Sequence, residues 1–303
     1  MVFLFVSLGI FLLLNVFRVV LPFIVLNRLA NRHINFRDIL KAEDFGLESR
    51  HFFVKTDDGL KISVYEVSIE NPNAVIICLA GINHPSATAY LGHARHFREM
   101  GFATFFFDMR AHGESDGDVI CMGYREHLDT KAVVKYIKSK KEYKDIPLVV
   151  MGLSLGASTA IISAGEMPEI DGIISLSAFS SWEDIFCDKM NAFSPEFFTR
   201  LEKPLVAWSA KVKYKVDIRK FSPVNSIKKL GTRPALLMHS IGDKEVPFEN
   251  FLRLMENTPA HVETFVREGD LHSVIQSNFT FPELDTDYIA VLTRFLKKNF
   301  GRN

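Results

Sequence analysis

Five short stretches of this chain are apolar almost without interruption: AVIICLAG (74–81), ATFFF (103–107), LVVM (148–151), GIISL (172–176) and ALLM (235–238). Runs of this length read as strands buried on both faces. Between them lie stretches with apolar residues at helical spacing, such as ATAYLGHARHFREM (87–100) and REHLDTKAVVKYIKSKK (125–141). Strand and helix alternating in this order predict a mostly parallel sheet with helices on both faces. HFFVKTDDGLKISVYEVSI (51–69) reads as two strands joined at Asp57-Asp58-Gly59, and VETFVRE (262–268) and YIAVLTRFLKKNF (288–300) as the last strand and helix. The predicted core is 51–180 with 229–303. Residues 181–228 offer no clear strand and read as a helical cap insert rich in apolar side chains: Met190, Phe193, Phe197, Phe198, Leu201, Leu205 and Trp208.

Residues 1–26 are different, with Arg18 as their one charged side chain and an uncharged run of 17 residues before it. A stretch this apolar is at the low end of what crosses a bilayer, and Arg18 could snorkel to the interface. The segment 1–27 is therefore expected to be a single N-terminal membrane anchor, followed by a connecting segment, 28–50. An apolar helix packed on the domain or on a second subunit is the alternative. Arg28, Arg32, Arg37 and Lys41 all follow it, which leans the body towards the cytoplasmic side.

Lys+Arg and Asp+Glu both total 36, and no basic block stands out, so a nucleic-acid partner is not expected. Three dispersed cysteines, Cys78, Cys121 and Cys187, fit neither a disulfide framework nor a zinc pattern and read as buried thiols.

The chemistry is carried by Gly152-Leu153-Ser154-Leu155-Gly156, which matches G-x-S-x-G between a strand and a helix. In that turn a serine oxygen is lifted above the sheet as a nucleophile. A serine needs a base, and the base an orienting acid. Asp243 follows the strand PALLMHS in the loop IGDKEVP, and His272 follows VETFVRE in GDLHS. Glu245 and Asp270 are rival acids. His93 and His96 share a helix face, best read as partly exposed surface, His112 shapes a loop, and His84 lies near the expected oxyanion loop. The oxyanion donors are expected to be the backbone N–H groups of Leu155 and Ile82, with Asn83 as runner-up.

These motifs, in this order, resemble the α/β-hydrolases over nearly all of 51–303, especially their prolyl-oligopeptidase-like, serine-aminopeptidase-like and dienelactone-hydrolase-like branch. FFDMRAHGESDG resembles the loop D-x-R-x-H-G-x-S-x-G, and RPALLMHSIGDKEVP the stretch carrying the acid, with Ser240 and Ile241 where the family often has glycine and another residue. Ala80-Gly81 stands where many relatives carry His-Gly. The resemblance implies an α/β-hydrolase fold with an eight-stranded-type sheet, Ser154 as nucleophile, His272 as base, Asp243 as orienter, and no cofactor or metal. The expected reaction is hydrolysis of a carboxylic ester with a small or medium, possibly lipid-derived, acyl group. Two alternatives stay open. A serine peptidase would use an acidic pair among Glu183, Asp184 and Asp188 to hold a substrate amine. A non-catalytic binding module would keep the fold alone.

Overall fold

The computed structural model describes residues 2–36, 38–82, 86–191 and 195–302. A 29-residue helix, α1 (Val2–Ala30), leads into a strand pair, β1 (Arg50–Lys55) and β2 (Lys61–Val67). The core then alternates β3 (Val75–Leu79), α2 (Leu91–Glu99), β4 (Ala103–Phe107), α3 (Glu126–Ser139), β5 (Leu148–Leu153), α4 (Leu155–Glu166) and β6 (Gly172–Leu176). Residues 182–226 hold α5 (Trp182–Met190), α6 (Glu196–Arg200), α7 (Lys203–Tyr214) and α8 (Pro223–Ser226). The chain closes with β7 (Ala235–Ser240), α9 (Glu249–Met255), β8 (Glu263–Arg267) and α10 (Thr286–Phe300).

The strands form one eight-stranded sheet in the order β1-β2-β4-β3-β5-β6-β7-β8. β1 and β2 pair antiparallel, β2 meets β4 antiparallel, and every later pairing is parallel. This is the predicted mostly parallel sheet. Alternate strand residues feed two cores. Val75, Ile77 and Leu79 point to the side packed by α3 and α4, where Val133, Ile137, Ala157 and Ile161 are buried. Ile76 and Cys78 point to the side of α2 and α10, against Phe97, Leu292 and Phe295. Burial on both faces is why these strands read as unbroken apolar runs rather than alternating ones. The register pairs Leu79 with Gly152 and Leu153 with Leu176, so the carboxyl ends of β3, β5 and β6 finish level. Cys78, Cys121 and Cys187 are buried free thiols.

The amino-terminal reading needs correction. Among the described residues no helix is long and apolar enough to cross a membrane. Arg18 does not snorkel outward: its Nε lies 2.6 Å from the Glu202 carboxylate, beside α7. Phe23 packs edge-on against Trp208 at 5.4 Å, and the Tyr214 hydroxyl donates to the Leu26 carbonyl at 3.1 Å. Pro22, Leu26 and Ala30 are buried. The second half of α1 is thus a packing element of this chain, while Phe5, Leu12, Leu13 and Val16 in its first half are exposed. His93 is also corrected: it is fully buried under α10, its Nε2 3.0 Å from the Tyr288 hydroxyl, while His96 meets Thr293 at 2.8 Å.

Candidate active site

Ser154 sits between β5 and α4 with φ 56° and ψ −114°, a conformation non-glycine residues rarely adopt. Its amide donates to the Leu176 carbonyl of β6 at 2.8 Å, fixing the turn against the sheet. The two flanking glycines have steric reasons. A Cβ on Gly152 would lie 2.2 Å from the Gly156 backbone, and one on Gly156 2.2 Å from the Leu79 carbonyl oxygen. The turn is tight because helix and strand cross at backbone contact there. Strain of this kind is retained where the surroundings hold it.

His272 and Asp243 come from the loops after β8 and β7. The two loops are tied by the Gly242 amide donating to the Gly269 carbonyl at 2.7 Å and by the Ser240 hydroxyl donating to the Leu271 carbonyl at 2.7 Å. His272 Nδ1 lies 2.7 Å from Asp243 Oδ2. Asp243 Oδ1 accepts from the amides of Glu245 and Val246 at 2.8 and 3.0 Å. Burial works to raise this carboxyl, but the hydrogen bond and charge of His272, with the Val246 amide, outweigh it and hold Asp243 below its ordinary value. An ionised carboxylate only accepts, so Nδ1 carries a proton, and it is the neutral form of the ring that presents a lone pair at Nε2. Of the rival acids, Asp270 faces Lys244 at 3.8 Å, and Glu245 stands 4.0 Å from His272 Nε2, the wrong nitrogen for an orienter.

Ser154 and His272 line one cavity of about 600 Å³ together with Gly81, Ile82 and Leu155. Leu155 opens α4, so its amide is at the positive end of that helix. The expected oxyanion residues Leu155 and Ile82 therefore share a cavity with the serine. Asn83 and His84 lie outside the described residues, as does Phe193. Most of the remaining wall is apolar: Trp182, Ile185, Phe186 and Met190 from α5, Met122 and Phe179 from loops, and Leu26 and Ala30 from α1. Arg32, Lys189 and Glu245 are the charged lining residues.

Of the insert residues singled out in the sequence, Met190 reaches the cavity, while Phe197 and Leu201 are exposed and Trp208 packs on Phe23. The wall residues missed by sequence reasoning are Trp182, Ile185 and Phe186, whose i, i+3, i+4 spacing was the available signal. His239 was also missed. Burial pushes its pKa down, so the ring is neutral; its Nε2 donates to the Val246 carbonyl at 2.8 Å and bolsters the Asp243 loop.

Glu183, Asp184 and Asp188 do not gather around a ligand space. Glu183 binds Arg219 at 2.9 Å, Asp184 accepts from Ser180 and Lys203, and Asp188 takes Arg253 and Asn250 at 2.6 and 2.9 Å. They tie the insert to the body.

The loop after β4 is held by buried ion pairs and hydrogen bonds. Arg110 binds Asp129 through Nη2 at 2.7 Å and Asp58 through Nη1 at 2.8 Å, and His112 Nδ1 meets the Arg110 carbonyl at 2.9 Å. Asp108 accepts the Ala87 amide at 2.8 Å, anchoring the chain that leaves the oxyanion loop. Burial raises the Asp108 carboxyl from 3.8 to about 6 despite that bond. A carboxyl raised in the folded state stabilises fully below its unfolded value and loses that contribution as pH rises through the folded one. Stability is accordingly expected to fall by roughly 2–3 kcal/mol between pH 3.8 and about 6 on account of this group. Asp108→Asn keeps an acceptor for Ala87 and removes that slope. Thermal denaturation of both proteins across this range checks it, and parallel pH profiles would refute it.

Residues 70–222, half of the chain, match the family described as Serine aminopeptidase, S33. The chain belongs to that family of α/β-hydrolases. Among solved structures, this S33-family chain is similar to the esterase Pf2001 of Pyrococcus furiosus, with a TM-score of 0.68 and 25% identity, covering 89% of this chain and 100% of that one. It shares the fold of the Pyrococcus horikoshii acylaminoacyl peptidase at TM-score 0.62 and 16% identity, over 85% of this chain and 43% of that one. A curated relative, the uncharacterized protein YqkD of Bacillus subtilis (strain 168), is 26% identical over 235 residues, covering 75% of this chain and 74% of its own. The 2,6-dihydropseudooxynicotine hydrolase of Paenarthrobacter nicotinovorans is 26% identical over 224 residues, 70% of this chain and 56% of that protein.

Proposed function

We propose that this α/β-hydrolase cleaves carboxylic esters with a small or medium acyl group, lipid-derived acyl groups among them, through a covalent acyl-enzyme. The observation that carries the reading is an apolar-walled cavity that reaches both Ser154 and the Asp243-oriented His272. Ser154 Oγ attacks the ester carbonyl while His272 Nε2 takes its proton. The oxyanion of the tetrahedral intermediate is held by the Leu155 and Ile82 amides. The C–O bond then breaks, and the alcohol leaves with the proton from His272. Water, deprotonated by His272, attacks the acyl-enzyme, and collapse of the second intermediate frees the acid and returns the proton to Ser154. The site as described calls on no cofactor.

The exposed apolar residues Phe5, Leu12, Leu13 and Val16 support attachment to a membrane surface through α1.

A peptidase reading draws on the family description and on Glu245, a carboxylate at the cavity able to hold an amine. Against it, the acids of the insert are committed to ion pairs. The test is a panel of p-nitrophenyl esters beside aminoacyl-arylamides. Ester turnover at least about 10²-fold above arylamide turnover is expected in kcat/KM. The reverse preference would install the peptidase, and a protein inert on both panels would leave only a binding role.

A further inference from the structure

One wall of the catalytic cavity comes from outside the hydrolase core. Leu26 and Ala30 are one turn apart on α1, hence on the same helix face, and only 4% and 1% exposed. Both line the cavity that holds Ser154 and His272. The helix is clamped where it does so. The Tyr214 hydroxyl of α7 donates to the Leu26 carbonyl at 3.1 Å, and the Ile120 amide donates to the Ala30 carbonyl at 2.7 Å. Just beyond, the Ile34 amide donates to the Ala111 carbonyl at 2.8 Å and the Gly113 amide to the Ile34 carbonyl at 2.8 Å. The wall is thereby fastened to the insert on one side and to the core loops on the other. Trp182, Ile185 and Phe186 line the same cavity.

We propose that Leu26 and Ala30 close the acyl-binding part of this cavity and set the chain length the enzyme accepts. The inference rests on the ester-hydrolase reading. A cavity of about 600 Å³ lies within the range that encloses a drug-sized ligand, so the walls, and not the reacting centre, limit the acyl group. Each methylene that still finds apolar wall adds about fourfold to kcat/KM, and a methylene that meets the wall adds nothing or costs. Leu26→Ala takes away about three carbons of wall and lengthens the preferred chain. Ala30→Leu adds about three and shortens it.

The experiment uses the full chain and p-nitrophenyl esters from acetate through butyrate, octanoate and dodecanoate to palmitate. Rates of labelling by alkyl fluorophosphonates of matching chain lengths are followed alongside. Val20→Ala, on the same helix but outside the cavity, is the control and keeps the wild-type profile. The expected result is opposite shifts of the optimum in the two variants, with acetate turnover within about twofold of wild type. A misfolded variant lowers all chain lengths together and does not move the optimum in a chosen direction. An unchanged optimum in both variants, with acetate turnover and labelling intact, would overturn the proposal while leaving the ester reading in place. If wild type labels at Ser154 but turns over no ester, the ester reading fails, and the labelling rates alone decide whether these two residues select chain length.

Discussion

Ser154→Ala is expected to abolish labelling by a fluorescent fluorophosphonate and to reduce ester turnover by about 10⁴-fold or more. The substitution removes one oxygen and keeps the Cβ, so the turn at φ 56° and its hydrogen bond to Leu176 survive. Melting temperature should stay within a few degrees of wild type. That combination, a native fold with a dead serine, separates loss of a nucleophile from loss of structure. Intact-mass measurement after labelling gives the direct readout. One added phosphonyl group on wild type and none on the variant is the expected pair. Continued labelling of the variant would put the nucleophile elsewhere and sink the assignment.

A large effect on stability is expected at Gly156. An added methyl would stand 2.2 Å from the Leu79 carbonyl oxygen, 2.6 Å from its carbon and 2.7 Å from the Ala80 oxygen. All three are backbone atoms of the chain leaving β3, and none can swing aside. The Leu79 oxygen also accepts the buried Tyr90 hydroxyl at 2.9 Å, so displacing it disturbs the second core as well. Gly156→Ala should cost on the order of 4 kcal/mol or more, a large share of the stability of an ordinary domain. Gly172 is the useful comparison. Its nearest neighbour is the tip of the Phe300 ring at 2.6 Å, a side chain that can shift, although the Pro234 carbonyl at 3.0 Å limits the relief. Gly172→Ala should therefore destabilise less than Gly156→Ala in chemical denaturation. Equal effects at the two sites would refute the argument from backbone contact.

Much of this was legible in the sequence because it depends on local pattern. The parallel strands are unbroken apolar runs, since both faces are buried, and a run such as VIICL needs no partner to be recognised. Ser154 was legible because a glycine stands two residues to either side of it, where strand and helix meet at backbone contact. Asp243 and His272 were legible as loop residues after strands, but their 2.7 Å contact depends on the parallel pairing of β7 with β8, which only the fold supplies. The misreadings share a cause. His93 carries a polar ring that no periodicity argument buries, yet Tyr288, 195 residues later, gives it a hydrogen bond in the core. Arg18 reads as an interface residue until Glu202, 184 residues away, neutralises it. The acids of α5 look like a ligand-binding group until Arg219, Lys203 and Arg253 are found against them. Charged and polar side chains are placed by distant partners, and a single sequence does not announce those pairs.

The clamp on the end of α1 bears on how this protein is handled. An apolar leader is commonly trimmed to make a hydrolase easier to purify. Here such trimming at residue 30 would strip Leu26 and Ala30 from the cavity and leave Tyr214 and the Ile120 amide without the carbonyls they hold. The shortened protein could keep a working serine and still report a substrate range that is not its own. Any activity profile gathered on a trimmed form describes a wider, wetter pocket than the one the whole chain builds.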